Sequence, residues 1–406
     1  MRVLAFDHFF SQDLHALRSA LEPTDTLVVE PYQRLWHLAR RHFPADAFHT
    51  LEAAYEESAG DAWRRYLPAA ERLARRLRQA ARPEVFVVPS DVFFYLRPVI
   101  QDFARHGVPT VVVQKETTIS PMVMTAHAEQ VRASTPFISD HMTVCSDRQK
   151  QFWLNAGTDP AAITVTGQPR FDRYAQARAG TRRPGPPRLL YLSYEDIAYL
   201  PSDTGMPFDG SWRPLREATE QTLAAAARRG WAVTAKRHPQ QSASPEWLGD
   251  AVRRAPQSAD TRDLIVDADV VVGFQTTALF EAAAAGRRVL YPAWGEVFDE
   301  VVDLLIPFHQ LPGVATHLRS AGELDQALAG GAQAIPTPDP GGRDTYEEHL
   351  GPVDGLACER VIAILRARAS TESAGAGQRR SGAASRVVLE VGHLTRVARH
   401  KVTGHT

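Results

Sequence analysis

Short, continuous apolar runs alternate with longer helix-like stretches along most of this chain. Val3 to Phe6, Thr26 to Glu30, Val85 to Val88 and Thr110 to Val113 are such runs. Runs without polar alternation suit strands covered on both faces, as in parallel sheets. Met142 to Cys145 and Ile163 to Thr166 predict two more. Leu14 to Leu21 and Asp61 to Ala81 read as helices, with Pro68 predicting an interruption of the second. Strands separated by helices favour a doubly wound α/β domain.

The alternation breaks between Ala175 and Arg188, where Gly180, Pro184, Gly185, Pro186 and Pro187 fall among arginines. This composition predicts a linker. The alternation then restarts with strands at Leu189 to Leu192, Ala232 to Lys236, Val270 to Val272 and Val289 to Tyr291, and helices at Leu215 to Arg229 and Ala278 to Ala285. The expected organisation is an N-terminal Rossmann-like domain over 1–175, a linker over 176–188 and a C-terminal Rossmann-like domain over 189–352. A last helix follows at 353–368, then a tail over 369–406. The tail carries Arg379, Arg380, Arg386, Arg396, Arg399 and Lys401 against Glu372 and Glu390, a net +4. Its Ser, Ala, Gly and Arg content over 369–385 predicts disorder.

Length supports two domains, because a single core rarely exceeds about 250–300 residues and the chain has 406. The formal net charge of -1 gives no overall case for nucleic acid. Two cysteines, Cys145 and Cys358, exclude a disulfide framework or a cysteine-based zinc site. No run reads as a signal peptide or a spanning helix, so the expected location is cytoplasmic. The basic tail reads either as a solvated, disordered segment or as a peripheral contact with an anionic membrane.

The strongest chemical signal runs from Val270 through Gly273, Thr276, Thr277 and Glu281 to Gly286 and Tyr291. It reads as strand, turn, helix, glycine stop, strand. Gly273 permits a tight turn, and Thr276 or Thr277 is the candidate N-cap. A strand end followed by a helix start suits a diphosphate, with Glu281 one turn on to accept from ribose hydroxyls. An ordinary βαβ unit with capping threonines has the same pattern. Lys236-Arg237-His238-Pro239 ends another predicted strand and reads either as a phosphate site or as a solvated basic turn. Gly167-Gln168-Pro169-Arg170-Phe171-Asp172 forms a turn at the predicted domain junction. There Arg170 either meets an anionic ligand or braces the hinge through Asp172.

These motifs, followed by Asp354-Gly355 and Arg360, occur in an order that resembles bacterial surface-carbohydrate transferases. Closest in pattern are the capsule polysaccharide biosynthesis and CDP-glycerol glycerophosphotransferase-like enzymes of GT-B type. The resemblance covers roughly Met142 to Leu365. It implies two Rossmann-like domains facing a cleft, with a nucleotide-activated donor held by the C-terminal one. Lys236, His238, Gly273, Thr276, Thr277 and Arg360 become donor contacts and Glu281 a ribose contact. The last helix is expected to return to the N-terminal domain. Gln275 to Thr277 stands where the glycerophosphotransferases usually carry Tyr-Ser-Ser, and Leu356 follows Asp-Gly where they usually have Lys. A sugar is therefore expected as the transferred group, ahead of a polyol phosphate. The acceptor is a glycan, glycolipid or metabolite.

Transfer of this kind needs a base to deprotonate the acceptor hydroxyl. Glu116, after the Thr110 to Gln114 run, is the candidate, with His8 its rival. No metal or cofactor is expected, because a helix dipole and cationic side chains neutralise the leaving diphosphate. The alternatives are a UDP-sugar 2-epimerase-like enzyme and a non-catalytic nucleotide- or glycan-binding protein on the same fold.

Overall fold

In a computed structural model of the chain, residues 1–375 are described except 8–9, 49–52, 57–58, 115–120, 180–183, 205–206, 239–240, 242–244 and 339–342. The chain divides into two compact units. The first contains β1 (Arg2–Phe6), α1 (Ser11–Ala20), β2 (Thr26–Glu30), α2 (Gln33–Arg40), α3 (Gly60–Ala81) and β3 (Val85–Val88). It continues through α4 (Arg97–Arg105), β4 (Thr110–Val113), α5 (Pro121–Ser134), β5 (His141–Val144), α6 (Asp147–Asn155) and β6 (Ile163–Val165). The second contains α7 (Asp172–Ala179), β7 (Arg188–Ser193), α8 (Arg213–Arg228), β8 (Ala232–Arg237), β9 (Arg253–Arg254) and α9 (Thr261–Asp267). Then come β10 (Val270–Gly273), α10 (Ala278–Ala284), β11 (Arg288–Pro292), α11 (Glu296–Val301), β12 (Thr316–Leu318), α12 (Ala321–Ala329) and α13 (Arg343–Leu350). The final helix, α14 (Ala357–Gly375), belongs to the first unit.

Each unit is built on one six-stranded sheet, ordered β2-β1-β3-β4-β5-β6 in the first and β12-β11-β10-β7-β8-β9 in the second. Every strand pair is parallel. Burial on both faces explains the unbroken apolar runs. In the first unit Leu4, Phe6, Phe86, Val88 and Val112 pack into one core. Their alternates Val3, Ala5, Val85, Val87 and Val111 face another, where α14 contributes Val361, Ile362 and Leu365. The second unit repeats this, with Leu189, Tyr191, Val270 and Val272 on one side and Leu190, Leu192, Val271 and Val289 on the other.

Three expectations differ from the structure. Helix α3 runs straight through Pro68. Pro68 and Leu67 lie on its exposed face, where water can satisfy the carbonyl freed by the missing N–H. The buried stripe Ala62, Tyr66, Ala70, Ala74 and Leu77 holds the helix on both sides of it. Part of the expected linker is helix, because residues 175–179 complete α7. Arg178 donates through Nε and Nη2 to the Ala284 carbonyl (2.9 and 2.7 Å), and Arg287 Nη2 donates to the Ala177 carbonyl (2.8 Å). Those bonds tie the segment to α10, and the chain changes unit at Arg170–Phe171. The last helix begins at Ala357 and extends to Gly375, seven residues beyond the expected end. The rest of the basic tail, 376–406, lies outside the described residues. Among the described residues no helix is long and apolar enough to cross a membrane.

Helix α14 is also tied to the sheet of its own unit through a buried histidine. Arg368 Nη2 lies 2.7 Å from His141 Nδ1, and His141 Nε2 lies 2.9 Å from Thr164 Oγ1. A guanidinium only donates, so Nδ1 accepts and Nε2 carries the proton that Thr164 receives. Burial, and then the Arg368 charge, push the His141 pKa down to about 4. The unfolded chain therefore takes up this proton first, near the ordinary value of 6.5. Stability is fully present above about pH 6.5 and falls as pH drops toward 4, by on the order of 2 kcal/mol. Urea midpoints for the wild type and His141→Gln at pH 7 and pH 4.5 test this. The wild type should lose more stability between the two pH values than the variant, and parallel losses would refute it.

Candidate functional site

The order of the second sheet places a crevice. From β7 the chain steps out to β8 and β9, then returns across β7 to β10 and continues outward to β11 and β12. The connections leaving β7 and β10 therefore diverge, and a crevice opens between them at the carboxyl edge of the strands. Gly273 pairs with Leu192 and Leu192 with Lys236, so these three residues form one row across the sheet. His238 lies two residues beyond that row. With one strand between them, the β8 and β10 ends are about 10 Å apart.

Gly273 stands where the space for a side chain is tight. A Cβ there would come within 3.1 Å of Leu279 Cδ2 and 3.3 Å of Leu192 Cβ. Gln275 then turns the chain with φ of +46°, a left-handed conformation rare for a side chain of this size. Three bonds hold it there. Its Nε2 donates to the Tyr291 hydroxyl (2.8 Å) and the Ile306 carbonyl (3.1 Å), and its Oε1 accepts from the Ile306 N–H (2.8 Å). Thr276 Oγ1 accepts from the Ala278 N–H (3.3 Å). Thr277 occupies the N-cap position of α10 with helical backbone angles, and its side chain makes no capping bond. Of the two candidate caps, Thr276 is the one whose hydroxyl receives a helix N–H.

Glu281 lies on α10, and its carboxylate accepts from the hydroxyl of Tyr174 on α7. Lys236 is buried and donates from Nζ to the carbonyls of Pro256 (3.2 Å) and Gln257 (2.7 Å). Burial, and then Arg237, lower its pKa. Its ammonium thus anchors the 256–257 turn and has one donor beyond these two. His238 is exposed at the end of β8. Burial of part of its ring lowers its pKa, and the Glu195 carboxylate, from the connection after β7, opposes that shift. The His238 carbonyl accepts from the Gln241 N–H (3.0 Å) and Gln257 Nε2 (3.2 Å), which fixes the turn.

Two predicted contacts belong to the first unit. Arg170 donates from its backbone N–H to Asp13 Oδ1 (3.0 Å) and from Nη1 to Asp13 Oδ2 (2.8 Å). The brace the structure supplies is thus Asp13 on α1, where the sequence pointed to Asp172. Arg360 on α14 donates from Nη1 to the Thr166 carbonyl (3.3 Å). Glu116 and His8 lie outside the described residues. The structure therefore brings together His238, Lys236, Gly273, Thr276, Thr277 and Glu281 on the second unit. It adds Gln275, Tyr174 and Glu195, which sequence reasoning passed over. Gln275 stood inside the recognised motif, but only its backbone angle reveals its task. Tyr174 stood beside the supposed linker.

No protein-family model and no curated protein matches the chain. Solved structures do match over nearly its whole length. A Listeria monocytogenes protein assigned as a UDP-N-acetylglucosamine 2-epimerase has 14% identity and a TM-score of 0.54, covering 91% of this chain and 96% of its own. A variant of the wall teichoic acid polymerase TagF has 10% identity and a TM-score of 0.54, covering 91% of this chain and 89% of its own. A further UDP-N-acetylglucosamine 2-epimerase has 16% identity and a TM-score of 0.52, with coverage of 90% and 95%. The pair of parallel six-stranded sheets, flanked by helices, is the arrangement of two Rossmann-like units that defines the GT-B fold, and this chain has that fold.

Proposed function

We propose that the chain is a transferase that moves a sugar, or a polyol phosphate, from a nucleotide-activated donor to a glycan, glycolipid or metabolite acceptor. The observation that carries this reading is the strand order of the second unit, which sets the Gly273–Thr277 turn and His238 on the carboxyl edge of one parallel sheet, on either side of β7. Such an edge supplies backbone N–H groups and a histidine side chain to a diphosphate without a metal ion. Glu281 serves the ribose in this reading, with Tyr174 setting the direction of its carboxylate. Lys236 acts on the turn rather than on the donor, apart from its one remaining donor. Arg170 and Arg360, held in the first unit, and Glu116 or His8 as base complete the proposal.

Charge-assisted phosphate contacts are worth about 1.5–3 kcal/mol each. His238→Ala and Thr277→Ala should therefore weaken nucleoside diphosphate binding by roughly ten- to hundred-fold. Melting temperature should hardly move, because His238 is exposed and the Thr277 side chain caps nothing. Thr276→Ala is the contrasting variant, since it also loses a helix cap worth about 1 kcal/mol. Titration calorimetry with UDP, CDP and GDP reads these effects. Unchanged affinity in both His238→Ala and Thr277→Ala would refute the site.

A 2-epimerase-like reaction is the second reading, favoured by the likeness to the two epimerase structures. Incubation with nucleotide sugars separates the two. A transferase releases free nucleotide in step with product on an acceptor, whereas an epimerase returns the nucleotide sugar with its sugar inverted at one carbon.

A further inference from the structure

We infer that the solvent face of α3 is a docking surface for a membrane of anionic phospholipid. The observation is a stripe of arginines. At 3.6 residues per turn, Arg64, Arg65, Arg72, Arg75 and Arg76 fall within about a third of the helix circumference, over a length of about 18 Å. All five are exposed. The buried stripe of Ala62, Tyr66, Ala70, Ala74 and Leu77 occupies the opposite side and packs into the core of the first unit. Helix α3 holds six arginines against two acids, a net +4, in a chain whose formal charge is -1. Both acids are engaged, Asp61 with Arg64 and Glu71 with Arg105 of α4 (2.9 Å). Among the described residues Arg65, Arg72, Arg75 and Arg76 have no carboxylate partner. The fold gains nothing from this arrangement. Arg72 stands three and four residues before Arg75 and Arg76, and like charges at those spacings repel.

The chemistry of the face selects its partner. Single-stranded nucleic acid is held by exposed aromatic rings as well as cations. The aromatic residues of α3 are committed to its own unit instead. Trp63 donates its indole N–H to the Ala54 carbonyl (2.7 Å), and the Tyr66 hydroxyl donates to the Tyr95 carbonyl (2.6 Å). A protein partner would bury an apolar centre inside a polar rim. Here Leu67, 39% exposed, is the one large apolar side chain of α3 that is open to solvent. The basic tail of the sequence has the same sign of charge and is no candidate to cover the face. A phospholipid surface needs neither rings nor an apolar centre. Its layer of phosphates meets a row of guanidinium forks, each able to hold phosphate oxygens in pairs. Leu67 and Pro68 then lie at the headgroup level, a shallow apolar contact beside the cations. Charges act across only about 8–10 Å at physiological salt, so the local stripe outweighs the net charge of the chain. The inference is independent of the donor site proposed above.

The test is sedimentation of the full chain with vesicles of phosphatidylglycerol and phosphatidylcholine in equal parts, and with phosphatidylcholine alone. The wild type should sediment with the anionic vesicles at low salt, be released at high salt, and ignore the neutral ones. A variant joining Arg65→Gln, Arg72→Gln and Arg76→Gln should partition on the order of a hundred-fold more weakly, since each arginine at such a surface contributes about five-fold. Its melting temperature should hold or rise, because glutamine keeps the helix and repulsion is removed. A second variant, with the tail cations Arg379, Arg380, Arg386, Arg396, Arg399 and Lys401 changed to glutamine, should retain most of the binding. Failure of the wild type to bind anionic vesicles would overturn the inference, as would equal binding by the α3 variant. Binding lost with the tail cations and kept without the α3 arginines would assign the contact to the tail and overturn it too. Tighter binding to duplex or single-stranded DNA, lost in the α3 variant, would make the stripe a nucleic-acid surface and overturn the lipid assignment.

Discussion

Exchange of Gln275 for leucine is expected to destabilise the second unit by about 3–5 kcal/mol, a loss large for a single substitution. The side chain is 1% exposed, so nothing in solvent can replace what it binds. Leucine is close in size and leaves little cavity. It strands two buried groups instead, the Tyr291 hydroxyl and the Ile306 N–H, and leaves the Ile306 carbonyl with only the Phe308 N–H (2.7 Å). Each orphaned group costs about 1–3 kcal/mol. The left-handed backbone at 275 stays strained while the bonds that compensated it are gone. Differential scanning calorimetry should show the transition of this unit lowered by roughly 10 °C. Gln275→Gly separates the two contributions, because glycine relieves the backbone and loses the same three bonds. It should remain strongly destabilised, though less than Gln275→Leu. A leucine variant melting within about 2 °C of the wild type would show that the turn does not depend on this amide.

The second large effect is expected in the first unit. Asp13 is fully buried, and Arg170 is 14% exposed. Their contact is a paired one, with a backbone N–H and a guanidinium on the two carboxylate oxygens. Removing one partner of a buried ion pair leaves the other charge without compensation, which typically costs about 3–5 kcal/mol. Asp13→Ala should therefore lose about that much in urea unfolding. Asp13→Asn keeps an acceptor for the Arg170 N–H and should lose less. The double variant Asp13→Ala with Arg170→Ala should recover part of the loss, because no buried charge is then unpaired. Simple additivity of the two single variants would exclude coupling between them. The pair also bears on the function proposed for Arg170, since a guanidinium committed to Asp13 offers an anion only its remaining donors.

The candidate site was partly readable from sequence, and the residues that were missed share a cause. Gly273, Thr276, Thr277 and His238 stand at strand ends that the apolar runs already marked. Local pattern suffices for such positions, because a run of four buried residues must be followed by a polar exit. Asp13 and Arg170 are 157 positions apart, and nothing in either neighbourhood announces the other. Tyr174 and Glu281 are similarly distant, at 107 positions. Lys236 was read as a phosphate ligand because cations at strand ends often are, yet its ammonium finds two carbonyls of the 256–257 turn. Segment 175–179 read as linker from its neighbours' composition, and bonds from Arg178 and Arg287 made it helix.

By itself the sequence determined the secondary-structure alternation, the parallel character of the sheets and the two-fold repetition of an α/β unit. Those follow from hydrophobic burial on both faces of each strand, a property of consecutive residues. Tertiary structure alone decided the strand order. That order sets β7 between β8 and β10, and so places the crevice and unites His238 with the Gly273 turn. It also decided the left-handed turns at Gln275 and Tyr199. Such a conformation is unfavourable locally and persists only where contacts from distant parts of the chain outweigh its cost.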